Sequence, residues 1–85
     1  HNGGTHMTRT DILNTLTEIF REVFDDAQLN LGENTSATDI DEWDSFEHIT
    51  LIASIEQKFS IKLDLKEAAT MDNVSTMIDI ILSKF

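Results

Sequence analysis

Hydrophobic residues recur at helical spacing in three stretches of the chain. Between residues 8 and 24 the apolar positions are mostly three, four or seven residues apart, as in an amphipathic helix with one buried face. We predict that Thr8 or Thr10 caps the start of this helix, with Asp11 near the positive end of its dipole. The same spacing returns over residues 45–59 and again after residue 73. The first stripe consists of Ile12, Leu13, Leu16, Ile19, Phe20, Val23 and Phe24, and the last of Val74, Met77, Ile78, Ile81, Leu82 and Phe85.

Residues 25–44 break the helical pattern. They are rich in Asp, Asn, Thr and Ser and include Gly32. A connection of about twenty residues is unusually long for a compact domain, and such loops are often functional. We expect its scattered apolar residues to pin the loop across the helices. They are Leu29, Leu31, Ile40 and Trp43.

A shorter helical piece and the lack of strand patterns complete the fold prediction. Residues 65–71 are enough for a turn or two of helix, and Asp72-Asn73 then offers a cap for the last helix. No alternating pattern is long enough to build a sheet. We therefore predict an all-α fold, a small four-helix bundle of three main helices and one short helix, with a long loop between helices 1 and 2. We expect residues 8–85 to form this domain and residues 1–7 to be an expression remnant that ends at a start methionine.

The charge of the chain restricts its partners. Acidic residues outnumber basic ones by 16 to 6, which gives a formal net charge of −10. Nucleic acids and anionic membrane surfaces would repel such a chain, so we predict neither as a partner and expect basic protein surfaces instead. The chain has no cysteine, which excludes disulfides, cysteine-based metal sites and a thiol nucleophile. No apolar run approaches the roughly 18 residues of a membrane span.

The start of the second predicted helix has the most informative local sequence. Asp44 lies where an N-cap belongs, with its carboxylate placed to accept a backbone N–H from Phe46 or Glu47. Ser45 would then occupy the first helical position, where the helix dipole favours an anion such as a phosphate. The carboxylates of Asp44 and Glu47 would oppose that anion. On residue chemistry alone, Ser45 is best explained as part of a capping sequence.

Residues 45–59 present two apolar faces on a helical wheel. One is an ordinary core stripe, made of His48, Leu51, Ile52, Ile55 and Phe59. The other lies nearly opposite, beside Glu56 and close to Ser45. This second face, called the outer patch below, consists of Phe46, Ile49 and Ala53. A second apolar face usually binds a partner, but burial under the first helix or the loop is equally compatible with the wheel.

The run Asp44-Ser45-Phe46 resembles the Asp-Ser-Leu signature of acyl carrier proteins, with Phe in place of Leu. The acidity, the long first loop and the helix order agree as well, so the resemblance spans residues 8–85. Trp43 before the Asp-Ser pair is more similar to discrete carrier proteins of specialised metabolism than to those of general fatty acid synthesis. The further matching positions are Ile49, Leu51, Ile52, Ile55, Glu56, Phe59, Ile61, Glu67, Ala68 and Val74.

The resemblance implies a covalent cofactor on Ser45. A Mg²⁺-dependent phosphopantetheinyl transferase would take 4′-phosphopantetheine from coenzyme A and join it to this serine through a phosphodiester. The thiol of the arm would hold acyl intermediates as thioesters, for fatty acid, polyketide or related specialised biosynthesis. Asp44 would support the helix start and the recognition of the serine by the transferase. The chain itself would be a non-catalytic carrier without a metal site.

The resemblance also implies a set of partners and a docking surface. Besides the transferase, they are an acyl-activating enzyme or ligase and a ketosynthase or acyltransferase, acting on a cytoplasmic monomer. The docking residues would be Phe46, Glu47, Ile49, Ala53 and Glu56. The second helix of the family is usually richer in acidic residues, so we expect the partners of this chain to depend more on shape and apolar contact than on charge.

Other functions fit the residues less well. A Ser45–His48 hydrolase lacks the Gly-x-Ser-x-Gly elbow and a recognisable oxyanion loop. Asp39, Asp41, Asp44 and Glu47 form an acidic cluster that suggests a calcium site. As an EF-hand loop that begins at Asp39, however, this segment has Asp44 where glycine is required and Thr50 where glutamate is required. A peptidyl or aminoacyl carrier domain remains an alternative, as does a small acidic helical docking module without a prosthetic group.

Overall fold

The protein folds into four α-helices and one long loop. A computed structural model describes residues 7–85, in which α1 is Arg9–Val23, α2 is Ser45–Phe59, α3 is Leu65–Thr70 and α4 is Val74–Leu82. The loop between α1 and α2 contains a 3₁₀ turn at Ala37–Asp39, and residues 7–85 include no strand. This confirms the predicted bundle of three main helices and one short one. Of the predicted remnant 1–7, residues 1–6 lie outside the described part.

Side-chain caps fix where the helices begin. Thr8 and Asp11 form a reciprocal capping box at α1, and Asp64 and Glu67 form another at α3. Asn73 caps α4 by accepting a backbone N–H from the third residue of that helix. The caps at α1 and α4 agree with the sequence prediction. The box at α3 was not predicted, although Asp and Glu three residues apart are its usual signature.

The core is formed by the predicted apolar stripes, with α1 packed against both α2 and α4. The loop contributes Trp43, whereas α3 contributes no buried side chain. The buried hydrophobic residues are Ile12, Leu16, Ile19, Phe20, Trp43, Leu51, Ile55, Phe59, Met71, Val74, Met77, Ile78 and Ile81. Phe85 departs from the predicted stripe and is 55% exposed, because α4 ends at Leu82 and the last residues no longer follow the helix.

The long loop is held against the helices by its apolar residues, as predicted, and by two arginines. Leu29, Leu31 and Ile40 pack against the core as partly buried residues. Arg21 of α1 donates from Nε to the carbonyl oxygen of Leu29 at 2.7 Å. Arg9 bonds to the loop and to α4 at once, through the carboxylates of Glu33 and Asp79. The loop therefore forms a defined wall of the bundle, which leads directly into Ser45.

Candidate functional site

Ser45 is an exposed residue at the first position of α2. Asp44 precedes it as the N-cap, and its Oδ1 accepts the backbone N–H of Glu47 at 2.9 Å, as predicted. The carbonyl oxygen of Asp44 accepts the N–H of His48 at 2.8 Å, the first hydrogen bond of the helix. The N–H groups of Ser45 and Phe46 have no acceptor within the helix, because an α-helix leaves its first donors unpaired. The serine hydroxyl thus lies at a helix end that favours a negatively charged group.

Trp43 and His48 join this helix start to the rest of the bundle. Trp43 is buried and its ring meets the edge of the Phe20 ring, with centroids 5.1 Å apart. Its Nε1–H donates to Nδ1 of His48 at 2.9 Å, and Nε2 of the imidazole lies 2.7 Å from the carbonyl oxygen of Ala68 in α3. Since both ring nitrogens are engaged, His48 does not serve as a base for Ser45. The prediction that His48 lies at the edge of the core stripe agrees with this position, but the sequence did not reveal its two hydrogen bonds.

An open groove of about 490 Å³ runs beside Ser45. The loop, α2, α3 and the connection before α4 each contribute to its walls. Its lining residues are Ala37, Trp43, Asp44, Ser45, His48, Ile49, Ala69 and Asp72. Sequence reasoning identified the contribution of α2 but not Ala37, Ala69 and Asp72, because these reach the site through tertiary packing and have no local motif.

The outer patch is uncovered. Phe46 is 74% exposed, Ile49 is 70% exposed and Ala53 is exposed as well, so neither α1 nor the loop buries this face. Glu47 is half-buried at the same end of α2. Glu56 has a structural contact that the wheel did not indicate, because its Oε2 accepts the backbone N–H of Leu63 at 2.8 Å and thereby holds the connection between α2 and α3.

Comparison with solved structures shows what this arrangement is similar to. A solution NMR structure of a holo acyl carrier protein from Geobacter metallireducens is 46% identical in sequence, with 85% of this chain and 83% of that chain aligned and a TM-score of 0.78. The chain belongs to the acyl carrier protein family. No protein-family model and no curated protein matches it. Its role is therefore that of an acyl carrier, as the signature at Ser45 predicted.

The acidic residues before α2 are not grouped as metal ligands in the part of the chain that the structure describes. Within residues 7–85, no three His, Asp or Glu side chains are grouped so that they could hold a metal ion. Asp39 has a structural role, because its Oδ2 accepts the backbone N–H of Ser36 at 2.9 Å and caps the 3₁₀ turn. The EF-hand alternative is thus unsupported by both sequence and structure. In the same described range, no helix is long and apolar enough to cross a membrane.

One ion pair of this acyl carrier protein fixes α3 to the end of the chain. Lys84 Nζ lies 2.7 Å from Oε2 of Glu67. The hydrogen bond from Lys84, followed by the backbone N–H of Asp64, lowers the pKa of Glu67 below its usual value. The pair is partly exposed, so its electrostatic contribution is weakened by solvent. It nevertheless gives the wall of the groove formed by α3 a second attachment besides His48.

Proposed function

We propose that this acyl carrier protein holds acyl intermediates as thioesters on a 4′-phosphopantetheine arm attached to Ser45. One observation carries the proposal. The exposed hydroxyl of Ser45 occupies the first position of α2, within the signature Asp44-Ser45-Phe46, in a chain 46% identical to a holo acyl carrier protein. In holo carriers the arm supplies the thiol that forms the thioester, which suits a chain without cysteine.

The helix end is suited to a phosphodiester. The arm would bring one negative charge to Ser45, where unpaired backbone donors and the positive end of the α2 dipole stabilise it. Asp44 organises this end because its carboxylate accepts the N–H of Glu47 and starts the helix. The groove beside Ser45 offers apolar side chains, including Trp43 and Ile49, against which the arm would lie.

The chemistry would be carried out by partner enzymes. Neither nitrogen of His48 is available to activate the Ser45 hydroxyl, so the base for the attachment reaction must come from the phosphopantetheinyl transferase. An acyl-activating enzyme or ligase would load the thiol, and a ketosynthase or acyltransferase would use the loaded group. We place this carrier in fatty acid, polyketide or related specialised biosynthesis.

The outer patch, with the carboxylates of Glu47 and Glu56 beside it, is proposed as the docking surface. An enzyme that reaches the arm must approach Ser45, and the exposed side chains of Phe46 and Ile49 lie on the same turn of helix or the next one. Apolar side chains of this size on an exposed face indicate a binding surface. The net charge of −10 would attract partners with basic surfaces.

Intact-mass spectrometry tests the attachment. The wild-type protein, Ser45→Ala and the control Ser54→Ala are incubated with coenzyme A, Mg²⁺ and a broad-specificity phosphopantetheinyl transferase. Ser54 lies on the same helix but on the face opposite Ser45, and its replacement leaves the signature intact. We expect one phosphopantetheine group on the wild type and on Ser54→Ala, and none on Ser45→Ala. An unmodified wild type would favour the docking module without a prosthetic group, and an equal adduct on Ser45→Ala would exclude Ser45 as the site.

A further inference from the structure

The position of α3 depends on a few specific contacts. This helix has six residues, none of them buried, and an isolated helix of that length is unstable in water. Met71, which follows it directly, is fully buried and anchors one end. Ile61 and Leu63, which precede α3, pack against the core, and backbone hydrogen bonds join the residues that follow it to the loop. The other attachments of α3 are polar side-chain contacts. They are the hydrogen bond between His48 and Ala68, the ion pair between Glu67 and Lys84, and the bond from the N–H of Leu63 to Glu56.

Of these contacts, the hydrogen bond of His48 is the one made by a residue that lines the groove. The ring of His48 lies edge to edge with the indole of Trp43 and nearly in the same plane, with centroids 6.0 Å apart and an angle of 19° between the planes. Because Trp43 Nε1 can only donate, the Nδ1 that receives it carries no hydrogen, and the neutral imidazole therefore bears its hydrogen on Nε2. That Nε2–H donates to the carbonyl oxygen of Ala68 at 2.7 Å. One ring thus connects the loop, α2 and α3.

We propose that His48 is a positioning residue that holds α3 against α2 in its neutral, Nε2-protonated form and so sets the width of the groove beside Ser45. Ala69, the residue after the bonded Ala68, lines the groove, so a displacement of α3 moves that wall directly. The use of the groove by an acylated arm rests on the proposed function. The contact itself belongs to the unmodified chain and is testable there.

Protonation of His48 would release the loop side of this connection. A second hydrogen on Nδ1 would face the N–H of Trp43, and two donors do not bond to each other. Two carboxylates, those of Asp44 before α2 and Asp72 before α4, line the same groove as His48.

Two substitutions separate the two bonds of His48. In His48→Gln the amide nitrogen reaches the place of Nε2 and retains a donor for the carbonyl oxygen of Ala68. In His48→Asn the shorter amide places its oxygen near Nδ1 and retains the acceptor for Trp43, but does not reach α3. Amide hydrogen exchange of residues 66–70 is measured on the unmodified proteins. We expect exchange about three- to tenfold faster in His48→Asn, as for one lost hydrogen bond, and near wild type in His48→Gln.

The fluorescence of Trp43, the only tryptophan of the chain, gives a second readout. Its emission should change in His48→Gln, which removes the acceptor of the indole N–H, and should stay near wild type in His48→Asn, which retains an acceptor there. Emission that is unchanged in His48→Gln, or α3 exchange that is unchanged in His48→Asn, would overturn the proposal. If His48→Asn does not fold, the emission of His48→Gln decides.

The two proposals fail in different ways. If the transferase leaves the wild type unmodified, the role of Ser45 is refuted, whereas the exchange and fluorescence results on the unmodified chain still stand. If Ser45 is modified but α3 exchanges alike in all variants, the positioning role of His48 is refuted and the carrier function is unaffected.

Discussion

Two isoleucines of α2 allow the docking surface to be distinguished from the core by one chemical change. Ile55 is fully buried, whereas Ile49 is 70% exposed. Replacing each by alanine removes the same atoms from the same helix, so the difference in intrinsic helix propensity is shared. Ile55→Ala should cost about 2–5 kcal/mol as a core truncation, and Ile49→Ala should change stability by no more than about 0.5 kcal/mol. For a domain of this size, the two melting temperatures should differ by roughly 6 °C or more.

Urea denaturation followed by far-UV circular dichroism measures both free energies of unfolding, and the rates of phosphopantetheine transfer and acyl loading measure function. We expect the effects of the two substitutions on function to be in the reverse order of their effects on stability. Ile49→Ala should slow at least one of these reactions about fivefold or more while its helix content stays intact. The Ile55→Ala protein is assayed well below its melting temperature, so that loss of folded protein does not imitate a docking defect. If Ile49→Ala destabilises the fold as much as Ile55→Ala, or if every partner reaction keeps its wild-type rate, the interface assignment is wrong.

Two further predictions concern charge. Added NaCl should raise the melting temperature of the unmodified protein, because screening of a net charge of −10 should outweigh the weakening of the partly exposed ion pairs of Arg9 and Lys84; a melting temperature that is flat or falls with salt would refute this. The lowered pKa of Glu67 stabilises the fold fully above the unfolded-state value, and this contribution is lost as pH falls through the folded-state value. Denaturation should therefore show a stability advantage of wild type over Glu67→Gln at about pH 7 that shrinks as the pH falls below the ordinary range of a glutamate carboxyl group, whereas an advantage independent of pH would mean that the carboxylate charge is not its source.

The helices and their caps were predictable because they depend on neighbours in sequence. The stripes of α1, α2 and α4 follow from spacing, and the caps at Asp44 and Asn73 follow from a short polar side chain before an apolar run. The wheel placed Ile49 opposite the core stripe but left its burial open; the resemblance to acyl carrier proteins assigned it to a docking surface, and its 70% exposure agrees with that assignment. Phe85 was misplaced because periodicity indicates which face a residue would occupy in a helix but not where the helix ends.

The contacts that shape the groove could not be predicted in the same way. Ala68 is twenty residues from His48, and Leu63 is seven residues from the Glu56 that receives its N–H. Both bonds use a backbone group, which every residue type offers, so no residue identity marks the partner. Trp43 and His48 are five residues apart, but the loop ends between them, so helical spacing does not apply.

The division between what local sequence determines and what packing determines has a functional consequence. The proposed attachment of an arm at Ser45 would use the capped start of α2, which Asp44 provides within a few residues. The shape of the groove beside it depends on α3, a helix too short to be stable alone and attached through side chains of α2, the loop and the end of the chain. Segments held by so few contacts open at a lower cost than the core. Substitutions at His48 or Lys84 should therefore alter how the cargo is accommodated while leaving the attachment reaction and the global fold largely intact.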